Sequence, residues 1–369
     1  MPLRSAILVL HRWLTFLVGV FFVAVTVTGA LLVFEFEIDR TLHPALYRVT
    51  PGDVGADSAL AAMRSARPKA RFARLRFPSA ERPVYVGEID VPRRTEVIVD
   101  PGSGRILGVR GDSFVRQVQR LHINLFAGQP GAKLVGVVGV LLVVMTVTGL
   151  YLWWPGMRKL ALGFRVRWGT GTPNVTYDLH NLAGILSLPV VLLTAATGAM
   201  LTFGGATQWL AHAALRETPS RPRPAALRSE PLPGVAPLPL DEIVRIARDT
   251  IRGYQPVMIS LPAKPTQAVQ VRLLHPDIPS AEGGGRVAMD QYSGRVLQAS
   301  SPHTGTRAQL LVYRWVFPLH VGSAGGLTMR VLWLVFGLVP LALAVTGLLV
   351  WWNRRRKRLA LEIRRAKAA

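Results

Sequence analysis

The sequence predicts an all-α four-helix membrane bundle that carries two small α+β modules outside the membrane, built by internal duplication. Three observations predict this fold class. The 369-residue chain is 50% hydrophobic with a mean hydropathy of +0.31. Four stretches are long and apolar enough to cross a bilayer, and the two halves of the chain repeat the same motifs at matched spacings.

The four transmembrane helices are predicted at 1–36, 132–154, 178–204 and 328–353, because a spanning helix needs about 20 mostly apolar residues. No Lys, Asp or Glu lies well inside any of the apolar runs. The first run is too long for a cleavable signal peptide, whose apolar region covers roughly 7–15 residues. It also ends in Phe34-Glu35-Phe36-Glu37 rather than in an Ala-x-Ala cleavage site. We therefore expect it to be retained as a signal anchor.

The net charge of +23 is distributed as membrane topology requires, which argues against nucleic-acid binding. Basic residues cluster in a loop at 155–177 and in a tail at 354–369, and short loops rich in Lys and Arg stay in the cytoplasm. A Trp-Trp pair precedes each cluster, as in an interfacial aromatic belt. We expect a multi-pass protein with both termini in the cytoplasm and contacts with anionic membrane lipids. The segments 37–131 and 205–327 would be exported.

Four histidines mark the internal repeat. His11 and His180 each precede a Thr-Gly pair by seventeen residues, and His122 and His320 each precede one by twenty-six. The second two are also followed, thirty-one residues later, by the first Trp of a Trp-Trp pair. Three matched spacings predict that the second half of the chain duplicates the first.

The two exported segments repeat each other as well. A helical pattern at 57–65 and 240–251 is followed by strand-like alternation around 72–77 and 269–273. Each segment then closes on two β runs joined by a turn, in which Asp is followed three residues later by Ser-Gly-Arg. The glycine of that turn, Gly104 or Gly294, suits a backbone position with positive φ.

These motifs carry a resemblance to a known family. A helix and strands ending in Asp-x-x-Ser-Gly-Arg resemble a PepSY domain, and Leu-His-Arg-Trp, Leu-His-x-x-Leu-Phe-x-Gly and Thr-Gly-Leu-Tyr-Leu-Trp-Trp-Pro resemble the PepSY-associated transmembrane family. The likeness covers nearly the whole chain. The second half departs in detail, with Asn181 in the place of Arg12 and Val321-Gly322 in the place of Ile123-Asn124.

Members of that family include inner-membrane reductases that use haem to release iron from ferric siderophores. The resemblance therefore implies an oxidoreductase of the bacterial inner membrane. Its partners would be a periplasmic ferric siderophore and an unknown electron donor, either cytoplasmic or a quinol. Two other functions stay open from the residues alone: a PepSY protein that binds peptides or regulates a peptidase without redox activity, and an electron-transfer subunit for another periplasmic acceptor.

Histidine is the ligand type left for a redox cofactor. The chain has no cysteine, which excludes Fe–S clusters and haem attached through Cys-x-x-Cys-His, and no nucleotide or flavin motif is present. The predicted topology places His11 and His180 at cytoplasmic depth and His122 and His320 at the opposite face, about 30 Å away. We therefore predict two b-type haems, with iron held by His11 and His180 in one and by His122 and His320 in the other. The alternative for each histidine is a structural role in capping a helix or bonding within the bundle.

Four glycines lie at the same two levels as the histidines. Gly29 and Gly198 fall at the level of His122 and His320, and Gly149 and Gly347 fall at the level of His11 and His180. A missing side chain there would admit a porphyrin face, or would simply let the helices approach closely.

Arginines near these levels are candidates for pairing with haem propionates, since a guanidinium group binds a carboxylate through two hydrogen bonds. They are Arg12, Arg120, Arg314 and Arg330, and ordinary interfacial anchoring is the alternative for each. The remaining histidines have no partner in the repeat. Among them His43 and His303 fall close to the predicted periplasmic face, where they could line a substrate or metal site or lie at the surface. The sequence assigns no role to His212 or His275.

Overall fold

The computed structural model describes residues 2–89, 94–218, 227–231, 233–276 and 284–368. The chain divides into two compact units, a membrane unit of residues 1–33, 118–204 and 319–369, and a sheet unit of residues 34–117 and 205–318. The helices are α1 (Leu3–Leu32), α2 (Glu35–Leu42), α3 (Gly55–Ala66), α4 (Phe114–Asn124), α5 (Gly128–Trp153), α6 (Thr172–Thr202), α7 (Gly204–Leu215), α8 (Leu240–Thr250), α9 (Arg307–Leu311), α10 (Phe317–Val321) and α11 (Gly326–Ala368). The strands are β1 (Phe72–Arg76), β2 (Tyr85–Ile89), β3 (Thr95–Val99), β4 (Ile106–Arg110), β5 (Gln255–Ser260), β6 (Val269–Leu274), β7 (Gly285–Met289) and β8 (Val296–Ser300).

Four helices in the described part of the chain are long and apolar enough to cross a membrane: α1, α5, α6 and α11. They pack in a ring, in which α1 contacts α5 and α11, and α6 contacts the same two helices. Apolar side chains of α1, α5 and α6 fill part of the interior, among them Phe22, Leu142 and Ala195. The chain is therefore a membrane protein with four candidate spans.

The ends of all four helices differ from the predicted spans, most of all in α6 and α11. The predicted third span begins at residue 178, but α6 begins at Thr172, where Pro173 occupies the first turn, a position that tolerates its missing N–H. The predicted basic tail from residue 354 is helical as far as Ala368, because Arg, Lys, Glu, Leu and Ala all favour the helix. Hydropathy locates the apolar part of a helix and misses the polar turns that continue it.

The sheet unit contains one eight-stranded antiparallel sheet in its described residues, with the strand order β4-β3-β2-β1-β5-β6-β7-β8. Each half of the chain contributes four consecutive strands. The sequence predicts two small modules and does not say how they associate. In the structure β1 of the first half pairs with β5 of the second, with Leu75 opposite Ile259. The physical reason is that each four-stranded sheet alone would expose this strand as an unpaired edge.

Two helices, α3 and α8, cover one face of the sheet and confirm the helical patterns predicted at 57–65 and 240–251. Met63 and Ile243 from these helices and Leu75, Ile259 and Leu273 from the strands belong to one buried apolar core. The predicted turn glycines are confirmed as well, since φ is +70° at Gly104 and +71° at Gly294. The duplication that these similarities suggest stays a prediction.

The helices α3 and α8 cap each other. The Asp57 carboxylate accepts hydrogen bonds from the backbone N–H groups of Leu240 and Asp241, at 2.8 and 3.0 Å. The Asp241 carboxylate accepts them from Ala56 and Asp57, at 2.7 and 3.3 Å. Each aspartate thereby satisfies N–H groups at the start of the other helix, which have no partner within their own helix.

A buried carboxylate lies within the sheet. Glu88 of β2 has a fully buried side chain that accepts hydrogen bonds from Arg74, Arg76 and Arg94, at 3.0, 2.5 and 2.7 Å. Burial alone would raise the pKa of Glu88, but the charge and hydrogen bond of Arg76, together with the other two arginines, lower it to about 2. Glu88 is therefore a carboxylate at neutral pH.

Candidate functional site

Each of the four repeated histidines lies against a Thr-Gly pair of another helix in the membrane unit. The ring of His11 in α1 meets α5, and that of His180 in α6 meets α11. The ring of His122 in α4 meets α1, and that of His320 in α10 meets α6. His11 contacts Thr148-Gly149, and His180 contacts Thr346-Gly347. His122 contacts Thr28-Gly29, and His320 contacts Thr197-Gly198.

The same ring nitrogen makes the contact in every case. Nδ1 lies 3.0 Å from the threonine hydroxyl at His11, 2.9 Å at His180, 3.3 Å at His122 and 3.1 Å at His320. At His122 and His320, Nδ1 also lies 2.8 and 3.1 Å from the backbone carbonyls of Val25 and Thr194. A carbonyl can only accept, so Nδ1 carries the proton and donates it, and in the neutral ring Nε2 keeps its lone pair.

The threonines are suited to this contact because their own protons are committed elsewhere. Thr28 and Thr197 donate to carbonyls one turn back in their own helices, at 2.6 Å in both cases, and Thr346 does so at 2.7 Å. Each hydroxyl oxygen then has a lone pair to offer the histidine. A hydrogen bond of this kind to the second ring nitrogen fixes the orientation and tautomer of histidines that bind metal.

His122 and His320 are brought together. Their ring centroids lie 6.1 Å apart with an angle of 44° between the ring planes. Two imidazoles bound on opposite sides of one metal ion have bonds of about 2 Å each, and each ring centre lies about 1 Å behind its nitrogen, giving about 6 Å between the centres. The separation therefore fits two imidazole ligands of one metal ion.

His11 and His180 lie on α1 and α6, which face each other across the ring of helices. Among the described residues no group of three or more His, Asp or Glu side chains converges on a metal position. The pairing of His11 with His180 at one metal, and the binding of haem at either pair, stay predictions.

The four predicted glycines lie beside the histidines. A Cβ atom at Gly29 would be 2.8 Å from Cε1 of His122, and one at Gly198 would be 3.0 Å from Cε1 of His320. The corresponding distances are 3.4 Å from Gly149 to His11 and 3.3 Å from Gly347 to His180. The structure gives these glycines a more direct role than the predicted one, because each makes room for an imidazole ring. Contact with a porphyrin stays a prediction.

The candidate arginines have several different environments. Arg330 donates to the backbone carbonyl of Val33, at 3.1 Å from Nε and 2.6 Å from Nη2, and so ties α11 to the end of α1. Arg120 lies over the ring of Phe126 and Arg314 over the ring of Trp315, at 5.4 and 5.9 Å. Arg12 is half-buried in α1. Pairing of any of them with a propionate stays a prediction.

The four histidines that lie outside the repeat all belong to the sheet unit. His43 lies 3.3 Å from the Asp39 carboxylate. His212 is buried, with Nε2 2.9 Å from the Thr306 hydroxyl. His275 and His303 lie together beside Tyr254, a proximity that the sequence does not reveal because the three are far apart along the chain.

The sequence model of the PepSY-associated TM region matches residues 8–354, which include all four repeated histidines. The chain belongs to this family. The chain is also similar to an uncharacterized protein of Pseudomonas aeruginosa, with which it is 30% identical over 254 residues. The alignment covers 64% of this chain and 62% of that protein, so the chain spans less than two thirds of the length of this curated relative. Family membership establishes a transmembrane protein and does not specify its chemistry.

Proposed function

We propose that this PepSY-associated protein is a di-haem oxidoreductase of the bacterial inner membrane, which reduces a ferric siderophore in the periplasm. The observation that carries the proposal is the pairing of His122 and His320, with ring centroids 6.1 Å apart and Nδ1 of each ring held by a carbonyl. Such a pair presents two Nε2 lone pairs for one iron. Duplicated spacing supports a second pair, His11 and His180.

The protein would contribute position and tautomer. Thr28, Thr148, Thr197 and Thr346 would hold the four rings with Nε2 toward the iron, and glycines would let the rings approach the helices. A haem with two histidine ligands has no open axial position, so it transfers single electrons and does not bind oxygen.

The substrate follows from the predicted topology. With the basic loop and tail in the cytoplasm, the His122 and His320 level is periplasmic, and a chelate too large and polar to cross the membrane would meet the protein there. One electron converts Fe(III) to Fe(II), and the lower charge weakens the attraction between iron and the oxygen ligands of the siderophore. Iron would be released without breaking a bond in the carrier. The electron donor would be a cytoplasmic reductant or a quinol.

Haem content tests the cofactor proposal. Protein purified after expression with ample haem supply should give two non-covalent haems per chain in a pyridine haemochrome assay. His11→Ala or His180→Ala should remove one haem, and His122→Ala or His320→Ala the other, while His43→Ala should keep both. Protein without haem would favour the non-redox PepSY alternative. Depletion of the same centre by His11→Ala and His122→Ala would refute the pairing.

Electron transfer tests the substrate proposal. Protein reduced in detergent and mixed with a ferric hydroxamate should reoxidise, and ferrozine should colour as Fe(II) appears. His122→Ala and His320→Ala should lose this transfer even where the other centre still reduces. If wild-type protein with both haems reoxidises with no ferric siderophore, the acceptor is a different periplasmic partner.

A further inference from the structure

Three side chains that can bind or orient a metal ligand lie together at one end of the sheet: Tyr254, His275 and His303. Tyr254 directly precedes β5 and His275 directly follows β6, and these antiparallel strands pair Gln255 with Leu274, so the two residues lie at the same sheet end. β8 ends at this side too, because Arg286 at the start of β7 pairs with Ser300 at the end of β8. His303 follows three residues later. The meander thus brings together residues that are distant in sequence.

The geometry of the two imidazoles suits a shared metal. The ring centroids of His275 and His303 lie 4.8 Å apart, with an angle of 65° between the ring planes. Two imidazoles bound to one ion at an angle of about 90–110° place each ring centre about 3 Å from the metal and about 4.5–5 Å from the other centre. This cis arrangement differs from that of His122 and His320, whose 6.1 Å separation fits opposite sides of an ion.

His303 is held in place from two directions. Its Nδ1 lies 2.5 Å from the phenol oxygen of buried Tyr254. Its backbone lies in a turn that Ser301 and Thr304 close with reciprocal hydrogen bonds. Since Nδ1 is engaged with Tyr254, Nε2 is the nitrogen available for a metal.

We propose that His275 and His303 bind a first-row divalent transition-metal ion, with Tyr254 as a positioning residue. A cavity of about 470 Å³ opens beside them, lined also by Arg252, Ser301 and Thr304. Two protein ligands leave the remaining coordination positions to water or to a small chelator that this cavity admits. Imidazole suits Zn²⁺, Cu²⁺, Ni²⁺ and Fe²⁺, and Cu²⁺ binds tightest in the general order of affinities. The site would therefore accept metal ions that still carry part of their own ligand set.

Copper binding to the full-length protein tests the proposal. One equivalent of Cu²⁺ should give a single EPR species with splitting from two nitrogens, and titration should show one site per chain. His275→Ala and His303→Ala should each abolish the two-nitrogen signal. Tyr254→Phe should keep that signal but weaken binding about 10- to 100-fold, as losses of the hydrogen-bond partner of a ligating histidine do.

Control measurements separate this site from the other histidines of the chain and from misfolding. His43→Ala should leave the copper signal unchanged, and the loss of that signal in His275→Ala and His303→Ala is read independently of haem content, so that failure of the haem proposal does not affect the result. Thermal unfolding of Tyr254→Phe should match the wild type, because the buried ring is retained. The proposal is wrong if wild-type protein gives no two-nitrogen species, or if that species survives in both His275→Ala and His303→Ala.

Discussion

Replacement of Gly29 by alanine should displace the imidazole of His122. The added Cβ would lie 2.8 Å from Cε1 of that ring, whereas two carbons in contact prefer about 3.5–4.0 Å. The ring would have to retreat by about 0.7 Å to reach that range. It cannot do so freely, because its Nδ1 is 2.8 Å from the carbonyl of Val25 on the same helix as Gly29.

The expected cost comes from overpacking and a lengthened hydrogen bond. Overpacking in a well-packed interior costs about 1–3 kcal/mol. If this cost is expressed as a displaced ligand, the affinity for the metal that His122 and His320 are proposed to bind would drop about 5- to 150-fold, since each 1.4 kcal/mol changes a binding constant tenfold. Gly198→Ala should act similarly at 3.0 Å, and Gly149→Ala, at 3.4 Å from His11, should be the mildest of the set.

The matched control is Gly19→Ala in the same helix. Apart from its chain neighbours and the backbone of its own helix turn, no described atom lies within 4 Å of a Cβ at Gly19. This change should therefore be neutral or stabilising by up to about 1 kcal/mol, from helix propensity. Haem content and EPR of the purified variants, with thermal unfolding in detergent, measure the effect. If Gly29→Ala matches Gly19→Ala in all three, or Gly149→Ala is the more damaged variant, the reasoning from the Cβ distances is wrong.

Three further predictions concern single polar groups. Glu88→Gln should destabilise the sheet unit at pH 7. The pKa of Glu88 falls from 4.5 to about 2 on folding, so the ionised carboxylate contributes its full stability above about pH 4.5. The loss of thermal stability in Glu88→Gln should therefore be largest above about pH 4.5 and should shrink as the pH falls towards 2. Asp57→Ala should lower stability by about 0.5–2 kcal/mol in denaturant unfolding through loss of a helix cap, whereas Asp249→Ala, which removes an exposed ion pair, should change it by less than about 1 kcal/mol. Thr148→Val should weaken retention of the proposed haem about 10- to 100-fold and alter the EPR signal of the centre that it supports. Thr146→Val, whose hydroxyl donates to the carbonyl of Leu142 in its own helix, should not.

The spacing of the histidines and the Thr-Gly pairs predicts part of the candidate site. Counting residues between histidines and Thr-Gly pairs predicts which glycines share a level with which histidines, and the structure places each glycine beside a ring of that level. The count does not reveal that the threonine before each glycine bonds Nδ1. That contact depends on the rotation of one helix about its axis relative to another, which side-chain packing sets and a one-dimensional spacing does not contain.

The strand pairing of the sheet can be predicted from the sequence only in part. Alternating apolar residues reveal β1 and β6, and the Ser-Gly-Arg turns reveal the pairing of β3 with β4 and β7 with β8. Nothing in those patterns states that β1 and β5 pair with each other, because the backbone groups that join them are the same in every residue. The clustering of Tyr254 with His275 and His303 is hidden as well, since it depends on the register of β5 with β6 and of β7 with β8, which the alternation of apolar residues does not give.

Contacts within each half of the chain orient the histidine rings, and contacts between the halves bring the rings together. Within each half, a histidine is oriented by a threonine of the same half: His122 by Thr28, and His320 by Thr197. The pair that fits one metal, however, takes one ring from each half. The sheet unit follows the same rule, because α3 and α8 cap each other and β1 pairs with β5 across the halves. Each proposed two-histidine site therefore takes one ligand from each half of the chain. Any change that loosens the association of the halves should affect the pairing of the two rings before it affects the orientation of either ring.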